Sequence, residues 1–325
     1  MLDLNTASSL FEKKLQDFIN QPNSPSTLYE PVNYILNAGG KRIRPSLMIL
    51  AASSFNHNLD NIWEPALGIE VFHNFTLVHD DIMDNSDIRR NRETIHKKWD
   101  INRAILSGDV MMIQATQCFC NLPESMLAKV MKLFLLTAKQ VCEGQQYDMD
   151  FEKEYKICMA DYIKMIELKT AVLLATSLKI GAIIAGASEK DCNLLYNYGI
   201  NIGLAFQLRD DYLDVYGNIN DFGKELGKDI IARKKTAMLI KAFELADQNT
   251  KQEMLNWLSN QATDNKKLIN YITNIYNKLN IPNIINNITN EYHIKALSAI
   301  DLLNVDEKSK DIYINIANSL INRNK

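Results

Sequence analysis

Cysteine is scarce in this chain and shows no pairing pattern. The five thiols, Cys118, Cys120, Cys142, Cys158 and Cys192, are odd in number and form no CxxC pair. That argues against a disulfide framework and leads us to expect a reducing, cytoplasmic setting. Long uncharged apolar runs are also missing. The nearest to one, Thr170 to Ser188, is interrupted by Lys179 and rich in Ala and Gly, so it reads as a buried helix with no membrane span expected. Neither sign of charge dominates, and a net charge of -3 gives no reason to expect a nucleic-acid partner. The first residues carry Asp3 and then Glu12, Lys13 and Lys14 on an amphipathic run, not a basic segment followed by an apolar one, so no signal peptide is expected.

Only 12 glycines and 7 prolines punctuate 325 residues, and the segments between them repeat apolar residues every three or four positions. Leu67, Val71, Phe72, Phe75 and Val78 form one such stripe, and Leu194, Tyr198, Ile202 and Ala205 form another. Alternating runs of β-branched residues bounded by turn signals are absent, which removes support for a sheet-based nucleotide-binding fold. The expectation is an all-α protein, one domain over residues 1–325, built as a helical bundle around an apolar interior. The Asn-, Lys- and Ile-rich tail from about Gln248 keeps a helical period at Leu268, Tyr271, Ile272 and Ile275, and is expected to form peripheral helices with polar outer faces.

Each stripe leads into a cluster of aspartates. Asp80, Asp81 and Asp84 form DDIMD, and Asp210, Asp211 and Asp214 form DDYLD, the same DDxxD spacing used twice. On a helix, positions i and i+4 lie one above the other, so Asp80 stacks with Asp84 and Asp210 with Asp214, while the middle residue stands about 100° round. Carboxylates gathered at a helix C-terminus repel one another and meet the negative end of the helix dipole, an arrangement that a cation relieves. Mg2+ suits it: a hard ion that takes oxygen ligands and commonly bridges one or two carboxylates to substrate phosphates. Acidic mouths on greasy helices suit a ligand with an ionic head and a hydrocarbon tail. A single DDxxD could equally be a solvated helix end; two are hard to explain that way.

Basic residues answer the acidic ones. GGKRIRP at 39–45 packs Lys41, Arg42 and Arg44 beside a glycine turn, with exposed amides, a point charge and guanidinium forks for phosphate oxygens. Arg89 and Arg90 follow the first cluster. Lys169 and Thr170 sit in an apolar run, and Lys224, Lys228, Lys234 and Lys235 follow the second cluster.

These segments resemble the trans-isoprenyl diphosphate synthase family, the polyprenyl synthetases that include farnesyl and geranylgeranyl diphosphate synthases. GGKRIRP, HDDIMDNSDIRR at 79–90, LKTA at 168–171, FQLRDDYLD at 206–214 and FGKELGKDI at 222–230 occur in family order. The resemblance implies the isoprenoid synthase fold around a central hydrophobic cavity, and a Mg2+-dependent prenyltransferase, cytoplasmic and homodimeric. It would condense isopentenyl diphosphate with dimethylallyl, geranyl or farnesyl diphosphate, using three Mg2+ ions. It implies that Lys41, Arg44, His73 and Arg90 hold the isopentenyl diphosphate, and that Arg89 serves the allylic substrate. Asp80, Asp84 and Asp210 are implied as direct Mg2+ ligands, supported by Asp81, Asp211 and Asp214 through waters or hydrogen bonds. Lys169, Lys224 and Lys234 would grip the departing diphosphate, and the oxygens of Thr170 and Gln207 would face the allylic cation. Phe75 beside the small Thr76, with Phe72 a further turn down, is similar to the pattern of a C20 synthase, with C15 the next choice.

Three departures from the family pattern, Asn91, Lys228 and Arg233, lie beside the motifs and bear on loop conformation. A class I terpene cyclase would need only one DDxxD and no GGKRIRP anchor. A ferritin-like di-metal protein could use the ExxH pairs Glu70 to His73 and Glu93 to His96, but would leave both DDxxD motifs unexplained. A silent partner subunit is disfavoured, since no clamp residue is missing.

Overall fold

The computed structural model describes residues 2–55, 58–154, 157–217, 226–259 and 264–321. Helices α1 (Leu4–Ile19), α2 (Ser26–Leu36), α3 (Ile43–Phe55) and α4 (Trp63–Met83) precede a short hairpin, β1 (Ile88–Arg89) and β2 (Arg92–Glu93). Then come α5 (Ile95–Lys98), α6 (Ile101–Cys120), α7 (Glu124–Lys153), α8 (Met159–Ile166), a π-helical turn (Glu167–Ala171), α9 (Val172–Ile184) and α10 (Glu189–Tyr216). The remainder forms α11 (Lys228–Ile231), α12 (Ala237–Leu245), α13 (Gln248–Ser259), α14 (Asn265–Lys278), α15 (Ile281–Asp301) and α16 (Glu307–Ile321).

Local chemistry accounts for these boundaries. The Asp3 carboxylate accepts the Thr6 amide at 2.7 Å and caps α1, which buries Ala7, Phe11, Leu15 and Ile19 at helical spacing. The hairpin is too short for any alternation to announce it. Its ladder pairs Ile88 with Glu93 and Arg89 with Arg92, and its loop residues Arg90 and Asn91 both have positive φ, 51° and 60°. A two-residue turn of this kind needs two left-handed residues, and Asn tolerates that conformation better than most side chains.

The chain packs as two compact units: residues 1–135 with 176–196 and 304–312, and residues 136–175 with 197–303 and 313–325. In the first, α4 lies against α6 so closely that a methyl group on Gly68 would stand 2.8 Å from the Ala115 carbonyl oxygen. There too the Met48 carbonyl fills the space beside Gly181. In the second unit, Gly199 and Gly203 on α10 meet Ala175 and Ala171. The small residues of the 170–188 run therefore serve close helix approach. That run is not one continuous helix, however. It begins inside the π turn and α9 ends at Ile184, where Gly186 takes a left-handed φ of 75° and the Ala187 amide reaches back to the Ala182 carbonyl.

The tail is helical as expected, but it is more than a periphery. Leu268, Ile272 and Tyr276 of α14 and Ile281 and Ile285 of α15 are buried, packing in one core with Leu204, Leu208 and the α12 residues Met238 to Ile240. The biased composition shows on the outer faces, while the inner faces keep enough Leu, Ile and Tyr for a core.

Candidate active site

Within the first unit, α4 places its apolar stripe inside and its aspartates at its C-terminal end. Asp84 is the C-cap residue, its amide bonded to the Asp80 carbonyl at 2.8 Å. The 100° offset of the middle residue decides its fate: Asp81 is buried, whereas Asp80 is partly exposed and Asp84 exposed. Burial pushes the Asp81 carboxyl up and Arg89 on β1 pulls it back, the Arg89 Nε donating to Asp81 Oδ1 at 2.7 Å. Arg89, expected at the allylic substrate, is thus fastened through Nε to the aspartate motif.

The GGKRIRP segment divides its basic residues between two tasks. Gly39, Gly40 and Arg42 all have positive φ (77°, 134° and 48°), which turns the chain sharply into α3. Arg42 points inward: its guanidinium donates to Glu70 Oε1 at 2.7 Å, Glu12 Oε2 at 3.0 Å and the Leu36 carbonyl at 2.7 Å. It is therefore a structural cation, not a phosphate ligand. The same contact disposes of one ExxH pair, because Glu70 is engaged by Arg42 and by the Asn74 amide at 3.1 Å.

Arg44, His73 and Arg90 come together. Arg44 Nη1 lies 3.2 Å from His73 Nε2. Burial, reinforced by Arg44, Arg90 and Arg89, holds the His73 imidazole well below its usual pKa, so it is neutral and its Nε2 accepts the Arg44 proton. Burial lowers Arg44 itself to about 10, with Glu70 opposing and Arg90 adding, which still leaves it charged at neutral pH. Its buried Nε has no hydrogen-bond partner among the described residues, a donor left over for an anion. Arg90 donates to the Gly39 carbonyl and packs its guanidinium where a side chain on Gly40 would stand, 3.0 Å from the Cζ. Lys41 is exposed.

Below Asp80 runs an aromatic ladder. Phe75 meets His79 edge-on at 4.8 Å, Phe72 lies 5.6 Å from Phe75 and 5.3 Å from Phe134, and Phe119 lies 4.5 Å from Phe134. Thr76 turns its hydroxyl back to the His73 carbonyl at 2.8 Å. It leaves little bulk at its position.

Within the second unit, α10 repeats the same arrangement. Asp210 and Asp214 are partly exposed and Asp211 is buried. Asp211 Oδ2 accepts the Tyr162 hydroxyl at 2.5 Å and the Ala237 amide at 2.9 Å, and Oδ1 accepts the Gln207 amide at 3.3 Å. Burial raises Asp211 to about 7 against those donors. Burial and then Asp229 raise Asp214 to about 6, and the Asp229 amide donates to Asp214 Oδ2 at 3.1 Å. Asp229 is itself pushed up, by burial first and then by Asp148, while Lys234 pulls it down.

Lys169 sits in the π turn and reaches Asp148 Oδ2 on α7 at 2.6 Å. The turn approaches α7 so tightly that a methyl on Gly144 would lie 2.3 Å from the Lys169 nitrogen. A π turn of this kind is frequent at functional sites. It carries Thr170, partly exposed, on the same turn. Arg233, standing where the family pattern has Gly, takes a φ of 57° and ties its guanidinium to the Leu258 and Ile231 carbonyls. Lys234 is exposed beside it. Lys224 lies outside the described residues.

Asp148, Asp229 and Tyr162 are not among the candidate site residues that the sequence points to. Asp148 stands among Glu143, Asp150 and Glu152 with no spacing to mark it, Asp229 lies inside FGKELGKDI and could have been read from that segment, and Tyr162 acquires meaning only by tertiary contact. Among the described residues, no three His, Cys, Asp or Glu side chains form a metal site by themselves. The donors present are nevertheless of the right kind for Mg2+: carboxylates at least partly exposed, in stacked pairs, each beside a buried anchor, which a hydrated ion supplements with water and phosphate oxygens.

A family model, polyprenyl synthetase, matches residues 25–276. The chain is 43% identical over 223 residues to the geranylgeranyl diphosphate synthase of Methanosarcina mazei, covering 68% of each. It is 36% identical to that of Sulfolobus acidocaldarius, over 88% of this chain and 86% of the relative. Among solved structures, a crystal structure of geranylgeranyl pyrophosphate synthase matches at 39% identity with a TM-score of 0.94, covering 99% of both chains. The Pyrococcus horikoshii geranylgeranyl pyrophosphate synthetase matches at 31% identity with a TM-score of 0.92, covering 98% of both. The chain belongs to the polyprenyl synthetase family. It has the all-α isoprenoid synthase fold and is a short-chain trans-prenyltransferase of a Mg2+-dependent family whose substrates are isopentenyl and allylic diphosphates. No helix among the described residues is long and apolar enough to cross a membrane.

Proposed function

We propose that this chain condenses isopentenyl diphosphate with dimethylallyl, geranyl or farnesyl diphosphate to give geranylgeranyl diphosphate, with farnesyl diphosphate as the shorter alternative. The observation that carries this reading is the duplicated carboxylate arrangement: in each DDxxD the first and last aspartates face outward and the middle one is anchored inside. Asp80, Asp84 and Asp210 are the proposed Mg2+ ligands, with Asp81, Asp211 and Asp214 behind them. Three Mg2+ ions arriving with the allylic diphosphate would neutralise its charge as the C–O bond breaks.

Lys169, Lys224 and Lys234 hold the departing diphosphate, and the oxygens of Thr170 and Gln207 face the cation left behind. Lys41, Arg44 and Arg90 fix the isopentenyl diphosphate, with His73 orienting Arg44, so that its double bond is set beside the reacting carbon. The proton lost in the final step passes to the released diphosphate. Phe75 and Phe72 limit how far the growing tail descends along α4, while Thr76 leaves room for the C20 chain.

The chain is proposed to work as one domain, supported by a family match that spans segments of both units. It is proposed to act in the cytoplasm as a homodimer. Support for the dimer comes from Ile101, Ile105, Leu106 and Ile113, large apolar side chains left exposed along α6. The test is incubation with labelled isopentenyl diphosphate and each allylic primer, followed by chromatography. A C20 product is expected; allylic substrate consumed equally well without isopentenyl diphosphate would replace this reading with a cyclase.

A further inference from the structure

The buried middle aspartate of the second motif touches three separate pieces of the site. Asp211 projects from α10, one residue from Asp210 and three from Asp214. Its Oδ2 receives the Tyr162 hydroxyl from α8, whose C-terminus continues directly into the π turn bearing Lys169. The same oxygen receives the amide of Ala237, the first residue of α12, three positions after Lys234. Its other oxygen is taken by Gln207 one turn earlier on its own helix. Tyr162 and Asp211 are both 3% exposed, so no water competes freely for these bonds.

We propose that Asp211 is a positioning residue and that Tyr162 is its partner: together with the Ala237 amide they pin the Lys169 turn, the Lys234 segment and the Asp210/Asp214 face of α10 to one carboxylate. This rests on the site roles proposed above and deepens them. A carboxylate that is buried and has three of its roughly four acceptor sites taken by a phenol, a backbone amide and a side-chain amide has little left to offer a hydrated Mg2+, so the motif's second aspartate serves geometry. The phenol lies six residues before LKTA and 49 before Asp211, and through that one contact it sets the spacing between two lysines and two carboxylates.

The test compares Tyr162→Phe, Asp211→Ala, Asp211→Asn and Asp210→Asn in the full chain. One readout is steady-state kinetics with both substrates. The other is the rise in melting temperature produced by Mg2+ with inorganic pyrophosphate, which needs no turnover. Because small misplacements of catalytic groups are costly, Tyr162→Phe and Asp211→Ala should lose at least about tenfold in kcat, with the KM for isopentenyl diphosphate within about twofold, and should lose much of the pyrophosphate-dependent stabilisation. Asp211→Asn keeps an oxygen that accepts both bonds, so it should retain that stabilisation and most of the activity, whereas Asp210→Asn should lose both. Should Tyr162→Phe not fold, the contrast between Asp211→Ala and Asp211→Asn carries the test. The proposal is overturned if Asp211→Asn is as impaired as Asp210→Asn, which would put the negative charge itself to work, or if folded Tyr162→Phe matches the parent in both readouts. Since the thermal readout uses no isopentenyl diphosphate, it stays informative even if the proposed substrate pair is wrong.

Discussion

Arg42 offers the sharpest division between stability and catalysis. Its guanidinium side chain is 1% exposed and pairs with Glu70, whose side chain is 3% exposed, at 2.7 Å, with the more exposed Glu12 as a second partner at 3.0 Å. Arg42→Met leaves the Glu70 carboxylate buried with only the Asn74 amide to answer it. Breaking a buried pair from one side costs on the order of 3–5 kcal/mol, more than a surface pair by a wide margin. At about 1.5 °C per kcal/mol for a chain of this size, the melting temperature should fall by roughly 4–7 °C. Replacing both partners, Arg42→Met with Glu70→Leu, should recover most of that loss, because an apolar pair of similar volume avoids the desolvation penalty. Below the transition, kcat and the KM for isopentenyl diphosphate should stay near the parent values, since the Arg42 guanidinium is taken up by Glu70, Glu12 and the Leu36 carbonyl. Thermal denaturation and kinetics on the single and double variants provide the measurement. A raised KM at unchanged melting temperature would show that Arg42 is a phosphate ligand after all and that its ion pair is incidental.

The neighbouring basic residues should behave in the opposite way. Lys41→Ala and Arg44→Ala are expected to raise the KM for isopentenyl diphosphate, while Lys169→Ala, which also strands Asp148, should damage the allylic half-reaction; equal effects on both substrates from all three would refute the division. For pH, His73 is held neutral in the folded protein well below the ordinary value of about 6.5 that it regains on unfolding, so the unfolded chain binds the extra proton as pH falls below that point. Its contribution to stability is level above pH 6.5 and declines below it by up to about 1.4 kcal/mol per pH unit, and His73→Gln should flatten that part of the acid limb. Denaturant titrations at pH 7.5 and 5 compare the two slopes, and parallel slopes would contradict the assignment. For product length, Thr76→Phe should shorten the main product by one isoprene unit and Phe75→Ala or Phe72→Ala should lengthen it, a turn of about 5.4 Å being close to one unit. Chromatography that shows no change in any of the three would place the floor elsewhere.

Much of this enzyme was legible in one dimension. Helical periodicity, sparse glycine and proline, and a DDxxD repeat specify an all-α chain with two carboxylate faces, because a helix converts spacing directly into direction: Asp80 over Asp84, Asp210 over Asp214, and the middle residue about 100° round. Composition misled at the tail, where Asn and Lys on the outer faces concealed Leu268, Ile272 and Tyr276 on the inner one. The left-handed turns at Asn91 and Arg233 were visible only as departures from a family pattern, and the backbone explains them: both hold positive φ without the glycine that would do so at least cost.

What tertiary structure alone decided is which charge meets which. Arg42 and Arg44 are two residues apart in one motif, yet one is locked to Glu70 and Glu12 while the other reaches His73 and keeps a donor open. Asp148 and Tyr162 lie in stretches with no motif and become important through contacts with Lys169 and Asp211, 21 and 49 residues away. Spacing along a helix sets direction within that helix only. The identity of a partner on another element depends on how buried faces pack, and no local pattern encodes it.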